Sequence, residues 1–562
     1  MVASRDSGPT RAASPGAAAR PGRARFPAAV SWAGGTILAA VVLMVCYLRI
    51  AGTVPVISDG AGNALQAWDL LHGNLLLHGW WVTDVSFYTT ELPQYALVEA
   101  VAGLRPEVIH ICAASTYTLL VLLAAFVARG RARGAEGVVR AVLAAGVMLA
   151  PEPGVASVVL LNNPDHVGTA VPVLVLLLLL DRGRPSWWQP AAAFVVLTAA
   201  TVGDPLTEVI GVLPLAVLCL ARIASGLLRR RARLRSLWYE IALGCAAVAA
   251  VGAAEVAKRL IVALHGFSTN QGNWGLVSLS TVRANIPMVA RNFLSLFGAD
   301  VESAQGGLQQ AFAVVHLAGA ALVLAALLLA AARLVRSLWS RKQEAGPDGA
   351  APAPADLVSG LLVLAIVFNV AVYMFMYSIT IIFDEHEIAP VLALGAALAG
   401  RQLGGPLLRP RAARLRVGLV SALVAVLACY GVMLGYAATR PQAKPANAAL
   451  AVWLTGHRLR SGIAGYWEAS SVTLDTHGAI IMGSVRPDRG GLAPWHWGMD
   501  LRLFNPATHS ANFVVTMPGD NVTPARAARA FGRPARVYHF QIYTIMVWNK
   551  NILSELGRPV SG

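Results

Sequence analysis

The chain has 562 residues, of which 56% are hydrophobic and 13% are charged, whereas soluble proteins average about 25% charged residues. With a mean hydropathy of +0.59, this composition excludes a soluble globular protein and indicates an integral membrane protein. The formal net charge of +16 is also typical of nucleic-acid binders, but the placement of the basic residues excludes that class, as shown below. The five cysteines lie in apolar runs without disulfide or metal-ligand spacing, so they predict no redox or zinc chemistry.

Residues 1–26 form a tract rich in Ala, Pro, Gly and Arg without apolar periodicity, which predicts a disordered tail. The apolar run from residue 26 to about residue 50 exceeds the roughly 7–15 residues of a signal-peptide core. We therefore expect an uncleaved first transmembrane helix.

Further apolar stretches are long enough to cross roughly 30 Å of hydrocarbon. They predict a mainly α, polytopic transmembrane domain at 27–439 with about eleven spans. After the first span, these stretches lie at 108–128, 138–151, 167–181, 189–203, 206–226, 238–263, 308–335, 357–382, 387–402 and 417–437.

The basic residues fall mainly in alternate connections between the spans, which is the pattern of the positive-inside rule. The pattern predicts a multi-pass protein of the plasma membrane with a cytoplasmic N-terminus and an extracytoplasmic C-terminus. Most of the net charge is then a topology signal, which argues against nucleic-acid binding. The basic segments are the tail, 129–140, 182–184, 222–235, 333–342 and 401–416.

The segment 440–562 has ordinary polarity, and its alternating runs at 512–516 and 537–547 are bounded by Gly, Pro, Asn and Asp. These features predict a small mixed α/β domain on the extracytoplasmic side. The Gly- and Pro-rich stretch 343–356 predicts a flexible cytoplasmic linker.

Acidic residues concentrate at the predicted outer ends of the helices. The long first outer loop, 51–107, carries Asp59 and Asp84, the second carries Asp165 and His166, and a later one carries His386 and Glu387. Ionisable groups at a membrane boundary are costly unless they face water, a cavity or one another, so they indicate a functional site.

Two interpretations of the first outer loop are open. In one, 64–77 is an amphipathic helix in the plane of the interface, Trp80 and Trp81 anchor it in the membrane boundary, and Asp59 is a helix N-cap. In the other, Asp59 is a general base that takes a proton from an acceptor hydroxyl. Asp84 is a second catalytic candidate on the same loop. Asp204, at the start of the sixth span, is itself a candidate N-cap.

This organisation also carries a resemblance. The chain carries the acidic motif DGAGN at 59–63, the segment AWDLLHGN at 67–74 and the Pro of EIAP at 387–390. The predicted order of elements around them is one helix, a long outer loop, about ten further spans and an outer domain. The chain resembles the GT-C glycosyltransferases, particularly the bacterial protein-mannosyltransferase-like and aminoarabinose-transferase-like branch. The resemblance implies a membrane enzyme whose sugar donor is linked to a polyprenyl phosphate.

Such a donor has a phosphate at the membrane surface and needs cations there. Lys258, Arg259, Arg283 and Arg291 lie on the outer side against the general charge bias, so we expect substrate binding from this group. Snorkelling or contact with lipid headgroups is the alternative for each of them.

Histidines beside carboxylates offer a divalent-metal interpretation. His166 and His386 are able to bind Zn or Mn together with Asp59 or Asp84. The alternative is that they are hydrogen-bonded loop residues at helix starts. The sequence does not identify a cofactor. We expect substrate contacts from Asp165, His166, His386 and Glu387.

Three functions are consistent with the sequence. The first is a transferase that moves a sugar from a polyprenyl-phosphate carrier to an acceptor on the extracytoplasmic face. The others are a non-catalytic polytopic scaffold or sensor, and a secondary transporter, which usually has buried charges at the midplane and paired repeats. Convergence of Asp59, Asp84 and the loops of His166 and His386 on one cavity distinguishes the transferase from the scaffold.

Overall fold

The fold combines a bundle of long apolar helices with a C-terminal unit built on a mixed β-sheet. A computed structural model describes residues 28–181, 185–229, 233–270, 275–304, 306–339, 356–377, 379, 382–409, 412–489 and 491–561. The predicted tail at 1–26 and residues 343–355 of the predicted linker lie outside the described residues.

Helices make up the bundle and frame the sheet. In chain order they are α1 (Ala28–Ala51), α2 (Ser58–Leu71), α3 (Glu91–Ala102), α4 (Glu107–Arg129), α5 (Gly134–Met148), α6 (Val155–Leu161), α7 (Ala170–Leu180), α8 (Trp188–Gly203), α9 (Leu213–Arg229), α10 (Trp238–Ala263), α11 (Leu279–Leu296), α12 (Gly307–Trp339), α13 (Leu357–Met376), α14 (Pro390–Leu407), α15 (Ala413–Ala438), α16 (Ala448–Gly456), α17 (Tyr466–Asp475) and α18 (Pro524–Phe531).

Eight of the described helices are long and apolar enough to cross a membrane. They are α1, α4, α9 with the π-helical turn before it, α10, α12, α13, α14 with the turn before it, and α15. The shorter helices α5, α7 and α8 occupy the remaining predicted spans at 138–151, 167–181 and 189–203. The prediction of a polytopic, mainly α-helical membrane protein is confirmed.

Consecutive spans alternate in direction, so one face of the bundle collects the carboxyl ends of α1, α5, α8, α10, α13 and α15 and the amino ends of α4, α7, α9, α12 and α14. We call this the site face. Helices α2, α3, α6 and α11 lie in its connections. The acidic residues singled out in the sequence therefore all lie on one side of the bundle.

Helix α14 is the centre of the bundle. In the span Glu385–Leu407, 94% of the most apolar window is buried, against 17% for each of the peripheral spans Trp32–Ala51 and Arg414–Ala438. Small residues make this possible, because a Cβ on Gly400 would lie 2.3 Å from the Arg140 carbonyl oxygen. The outer helices turn apolar side chains outward, as lipid contact requires.

Arg401 on α14 belongs to a basic segment that the sequence pattern attributed to membrane topology, but its observed role is structural. Its guanidinium is 7% exposed and binds Asp181 at 2.9 Å and Asp356 at 2.5 Å. It also donates to the Val127 carbonyl. Two carboxylates and a carbonyl satisfy the buried cation, so this residue joins three helix ends on the face opposite the site face.

Helix α2 begins earlier than the amphipathic helix expected at 64–77. Gly60 and Gly62 argue against a helix by propensity, but they allow close packing, since a Cβ on Gly60 would lie 2.9 Å from Ile109 Cγ2. Eight residues of α2 are buried, and α17 of the C-terminal unit packs against the helix. The observed helix thus begins earlier than expected and is buried mainly within 58–67, whereas Leu71, on the expected apolar side, is exposed.

Trp80 and Trp81 form strand β1 (Trp80–Trp81), which corrects their expected role as membrane-boundary anchors. This strand pairs antiparallel with β5 (Met499–Asp500) of the C-terminal unit. The Trp80 indole donates to Asp69 at 2.8 Å, and Trp81 stacks on His496 with ring centroids 3.9 Å apart. These rings join the first loop to the C-terminal unit.

The C-terminal unit is the predicted mixed α/β structure, with a seven-stranded sheet in the order β7-β8-β6-β2-β3-β4-β9. Strand β2 lies parallel to both of its neighbours, β3 and β6, and the chain enters α17 directly after β2. The remaining strands are β2 (Ser461–Ala464), β3 (Ile481–Asp488), β4 (Gly491–His496), β6 (Phe513–Thr516), β7 (Arg536–Phe540), β8 (Tyr543–Val547) and β9 (Val560–Ser561).

Candidate active site

Asp59 lies in the first turn of α2 and does not cap that helix. The N-cap residue is Ile57, and no side-chain cap bond is made there. Instead, the Asp59 carboxylate accepts a hydrogen bond of 2.5 Å from the Tyr466 hydroxyl at the start of α17. Burial raises the pKa of Asp59, although the Tyr466 hydrogen bond and the nearby His386 and His166 rings oppose that rise.

Asp165 is a second carboxylate close to Asp59. Its Oδ1 accepts from the side-chain amide of Asn63, one turn along α2 from Asp59, at 2.9 Å. Burial and the charge of Asp59 raise the pKa of Asp165 to about 7. The charge of Asp59 therefore disfavours ionisation of Asp165, which holds a proton more readily than an isolated carboxyl group.

His166 stands in a strained backbone conformation with φ of 56°, which non-glycine residues adopt mainly where the surroundings impose it. Its Nδ1 lies 3.2 Å from Asp204 Oδ2, and Thr169 donates to the same oxygen. Burial opposes the charged ring, but Glu387 and Asp204 outweigh that effect and raise the pKa of His166 well above its usual range.

Asp204 itself matches its predicted role as a cap, because its Oδ1 accepts from the Leu206 backbone N–H at 2.8 Å. The other oxygen faces His166. One carboxylate thus binds the backbone at the start of a helix and orients a histidine.

His386 and Glu387 approach His166 from the turn before α14. The rings of His166 and His386 have centroids 5.4 Å apart, and His386 Nε2 lies 3.5 Å from Glu387 Oε1. Tyr377 also hydrogen-bonds Glu387. These contacts gather chain segments that are far apart in the sequence.

The donor atoms of His166, His386 and Glu387 lie within 4.8 Å of one another, which is compact enough for one divalent cation. Two imidazoles and a carboxylate suit Zn or Mn. The contact from His166 to Asp204 is the kind of outer hydrogen bond that orients metal-bound histidines. The donor set therefore fits a metal, with ligands that differ from the predicted pairing with Asp59 or Asp84.

Asp84 lies on the wall of a cavity of about 680 Å³ at the site face. The charges of His166 and Glu387 act on its carboxylate, so the cavity adjoins the cluster described above. The wall also carries Lys258 and Arg259, with the Lys258 ammonium paired to Glu255.

The same cavity has an apolar side supplied by membrane-spanning helices. Its charged residues and this apolar wall together form an amphiphilic surface, which suits a ligand with a charged head and a hydrocarbon chain. The apolar residues are Val202, Val209, Val262, Val372 and Met376.

The other two predicted cations lie elsewhere. Arg283 is exposed on α11 and is not among the residues that line the cavity. Arg291 binds Asp300 at 3.1 Å and Ser303 at 2.9 Å. The structure thus brings together two of the four predicted phosphate ligands.

Sequence reasoning missed Tyr466, Tyr377 and Asn63 as members of the site. Only Tyr466 has a recognisable signal, because it follows β2, a strand parallel to both of its neighbours, and ligands gather beyond the carboxyl ends of parallel strands. Tyr377 lies in a segment without a distinguishing pattern, and Asn63, although it ends the DGAGN motif, has no signal of its own that marks it as a site residue.

Comparison with solved structures bears on the fold. ArnT from Cupriavidus metallidurans bound to undecaprenyl phosphate matches with a TM-score of 0.50 and 13% sequence identity, over 94% of this chain and 99% of that chain. The oligosaccharyltransferase of Archaeoglobus fulgidus in the apo form gives a TM-score of 0.47 and 12% identity, over 86% of this chain and 69% of that chain. No family model and no curated protein sequence matches. The likeness to ArnT confirms the fold that the GT-C resemblance implied.

Proposed function

We propose that the protein is a membrane glycosyltransferase that moves a sugar from a polyprenyl-phosphate donor to an acceptor on the extracytoplasmic face. The observation that carries the proposal is convergence: the rings of His166 and His386 lie together and their charges act on Asp59, the charge of His166 also acts on Asp84, and Asp84 lines the amphiphilic cavity. A scaffold requires no such arrangement of costly ionisable groups. The fold shared with ArnT, which was solved with bound undecaprenyl phosphate, supports the same substrate class.

In this proposal the lipid chain of the donor lies along the apolar wall of the 680 Å³ cavity, with its phosphate toward Lys258 and Arg259. The acceptor oxygen forms a bond to the anomeric carbon while the bond from that carbon to the phosphate oxygen breaks. The phosphate leaves with the bonding electron pair, and the two cations stabilise its charge.

Asp59 takes the proton from the acceptor hydroxyl, because its carboxylate is half-buried and oriented by Tyr466. Asp84 is the second candidate for the base. Asp165, His166, His386 and Glu387 surround the reacting groups, and a divalent cation held by the last three would supply further positive charge toward the phosphate.

The proposal includes an orientation. The tail at 1–26 is cytoplasmic, the segment 27–439 spans the plasma membrane, and 440–562 is extracytoplasmic, in agreement with the distribution of Arg and Lys. An alkaline phosphatase fused after Gly562 is expected to be active, whereas a fluorescent reporter that matures only in the cytoplasm is expected to stay dark. The opposite pair of results would overturn the orientation.

The function is tested with purified protein in lipid bilayers and a panel of polyprenyl phosphates carrying different radiolabelled sugars. An active donor loses its label to water or to an acceptor, and the Asp59→Asn protein leaves that label on the carrier. If no carrier in the panel binds or loses its label, the proposed function is wrong.

A further inference from the structure

A second cavity, of about 420 Å³, opens from Asp59 into the C-terminal unit. Asp59 lines this cavity and is not among the residues that line the amphiphilic cavity, and the two walls are different in kind. Where the first cavity has an apolar wall from spanning helices, this one has aromatic rings and polar side chains from α17, β3, β4 and the loop before α18.

The aromatic part of the wall is a set of tryptophans around Tyr466. The rings of Trp495 and Trp497 are nearly parallel, at 17°, with centroids 6.0 Å apart. Tyr466 meets Trp495 edge-on at 5.3 Å, and Trp497 hydrogen-bonds the Tyr466 hydroxyl. The ring faces are thus fixed in place by contacts that lead to Asp59.

Polar groups complete the wall. The Arg486 guanidinium lies 5.4 Å from the Trp495 ring centroid, and Asp520 and Asn521 also line the cavity. Among the described residues, no hydrogen-bond partner is present for the buried Trp495 Nε1 or for Asp520 Oδ2. A buried donor and a buried acceptor without partners are uncommon in folded proteins.

We infer that this cavity binds a sugar ring of a saccharide acceptor, an inference that rests on the proposed transferase function. The C–H bonds on one face of a sugar ring match the electron-rich face of an indole, while its hydroxyls both donate and accept hydrogen bonds, as the mixed polar wall requires. The cavity size falls within the roughly 300–1,000 Å³ typical of small-ligand sites. A ring held there presents a hydroxyl to Asp59, which lines the cavity.

The test separates binding of the acceptor from use of the donor. Fluorescently labelled protein in nanodiscs is applied to an array of immobilised hexose, pentose, N-acetylhexosamine and uronic-acid saccharides, with peptides and nucleosides on the same array. Loss of radiolabel from the polyprenyl carrier is measured separately. We expect the wild-type protein to bind a subset of the saccharides.

Trp495→Ala is expected to weaken saccharide binding about tenfold while leaving donor binding unchanged, and Trp495→Phe is expected to restore most of the affinity. Trp187→Ala is the matched control, because Trp187 is 80% exposed at the opposite end of α8 from the site. If Trp495→Ala fails to fold in a thermal melt, Asp520→Asn at the cavity wall tests the same contact set.

The outcomes are distinct. If no saccharide on the array binds the protein, but the label is transferred to a peptide or to a lipid without sugar, the inference is wrong and the proposed function stands. Saccharide binding equal in wild type and Trp495→Ala also overturns it. Saccharide binding without use of any donor overturns the proposed function and, with it, the acceptor role of the cavity.

Discussion

The Tyr466 hydroxyl lies 2.5 Å from Asp59 Oδ1 and joins residues 407 positions apart in the chain. The candidate base belongs to the first loop of the bundle, whereas its hydrogen-bond donor opens the first helix after β2 in the C-terminal unit. The C-terminal unit is therefore part of the site. A substitution of Tyr466 in that unit is expected to alter the behaviour of Asp59.

Replacing Tyr466 by Phe tests that contact through pH. The hydrogen bond favours the ionised carboxylate, so its loss raises the pKa of Asp59 further than burial already does. The base is active when ionised, and we therefore expect the acid limb of kcat/KM to move to higher pH, with turnover approaching wild type on the alkaline side. Tyr436→Phe, at an exposed tyrosine in the last turn of α15, is the control. An unshifted acid limb contradicts the positioning role.

Asp59→Asn keeps the shape of the side chain and removes its ability to accept a proton. We expect turnover to fall by roughly 10²–10⁴-fold, as for a general base, with donor binding retained in an equilibrium assay. Asp84→Asn is the comparison, because that carboxylate lines the donor cavity. A larger loss of turnover at Asp84, with near-normal activity for Asp59→Asn, assigns the base to Asp84.

Lys258→Ala and Arg259→Ala test recognition of the phosphate. Each removes a cation from the amphiphilic cavity, and losing a charge-assisted contact worth roughly 1.5–3 kcal/mol weakens donor binding about ten- to a hundredfold. Donor affinity is measured by titration with a polyprenyl phosphate. Arg283→Ala is the matched control, since Arg283 is exposed outside the cavity. If only the control loses affinity, the phosphate binds elsewhere.

A metal is tested by binding rather than by activity. Purified protein is equilibrated with Zn²⁺ or Mn²⁺ and its metal content is measured by mass spectrometry. The compact donor set of His166, His386 and Glu387 predicts about one ion per chain. His386→Ala is expected to lose that ion, and His539→Ala, a change at an exposed histidine of the C-terminal sheet, is expected to keep it. Equal metal content in both variants excludes this site.

The spans were predictable because lipid imposes one rule on every segment that crosses it, so hydropathy alone gave helices close to their observed bounds. The site face was predictable for a related reason: carboxylates at helix ends are costly without a cavity. The start of α2 at Ser58 was not predictable from the sequence, because its glycines weaken the helix locally. Only the packing of Gly60 against Ile109, which the fold provides, explains why the helix includes them.

Contacts between segments that are distant in the chain could not be predicted from the sequence either. Nothing near Tyr466 signals its partner Asp59, and nothing near Arg291 shows that Asp300 already binds it. Trp80 and Trp81 matched the composition of a membrane boundary, but their backbone pairs with Met499 and Asp500. Composition identifies a class of environment, whereas the partner in that environment depends on the completed fold.

The pairing of β1 with β5 has a consequence for biosynthesis. The first loop leaves the ribosome early, but the strand that fixes it, and the tyrosine that orients Asp59, are translated only after the last span. A nascent chain with every span already inserted therefore carries its acidic loop without the contacts that complete the site. In the proposed transferase, a partially synthesised chain therefore lacks the contact that orients its base until the C-terminal unit has folded.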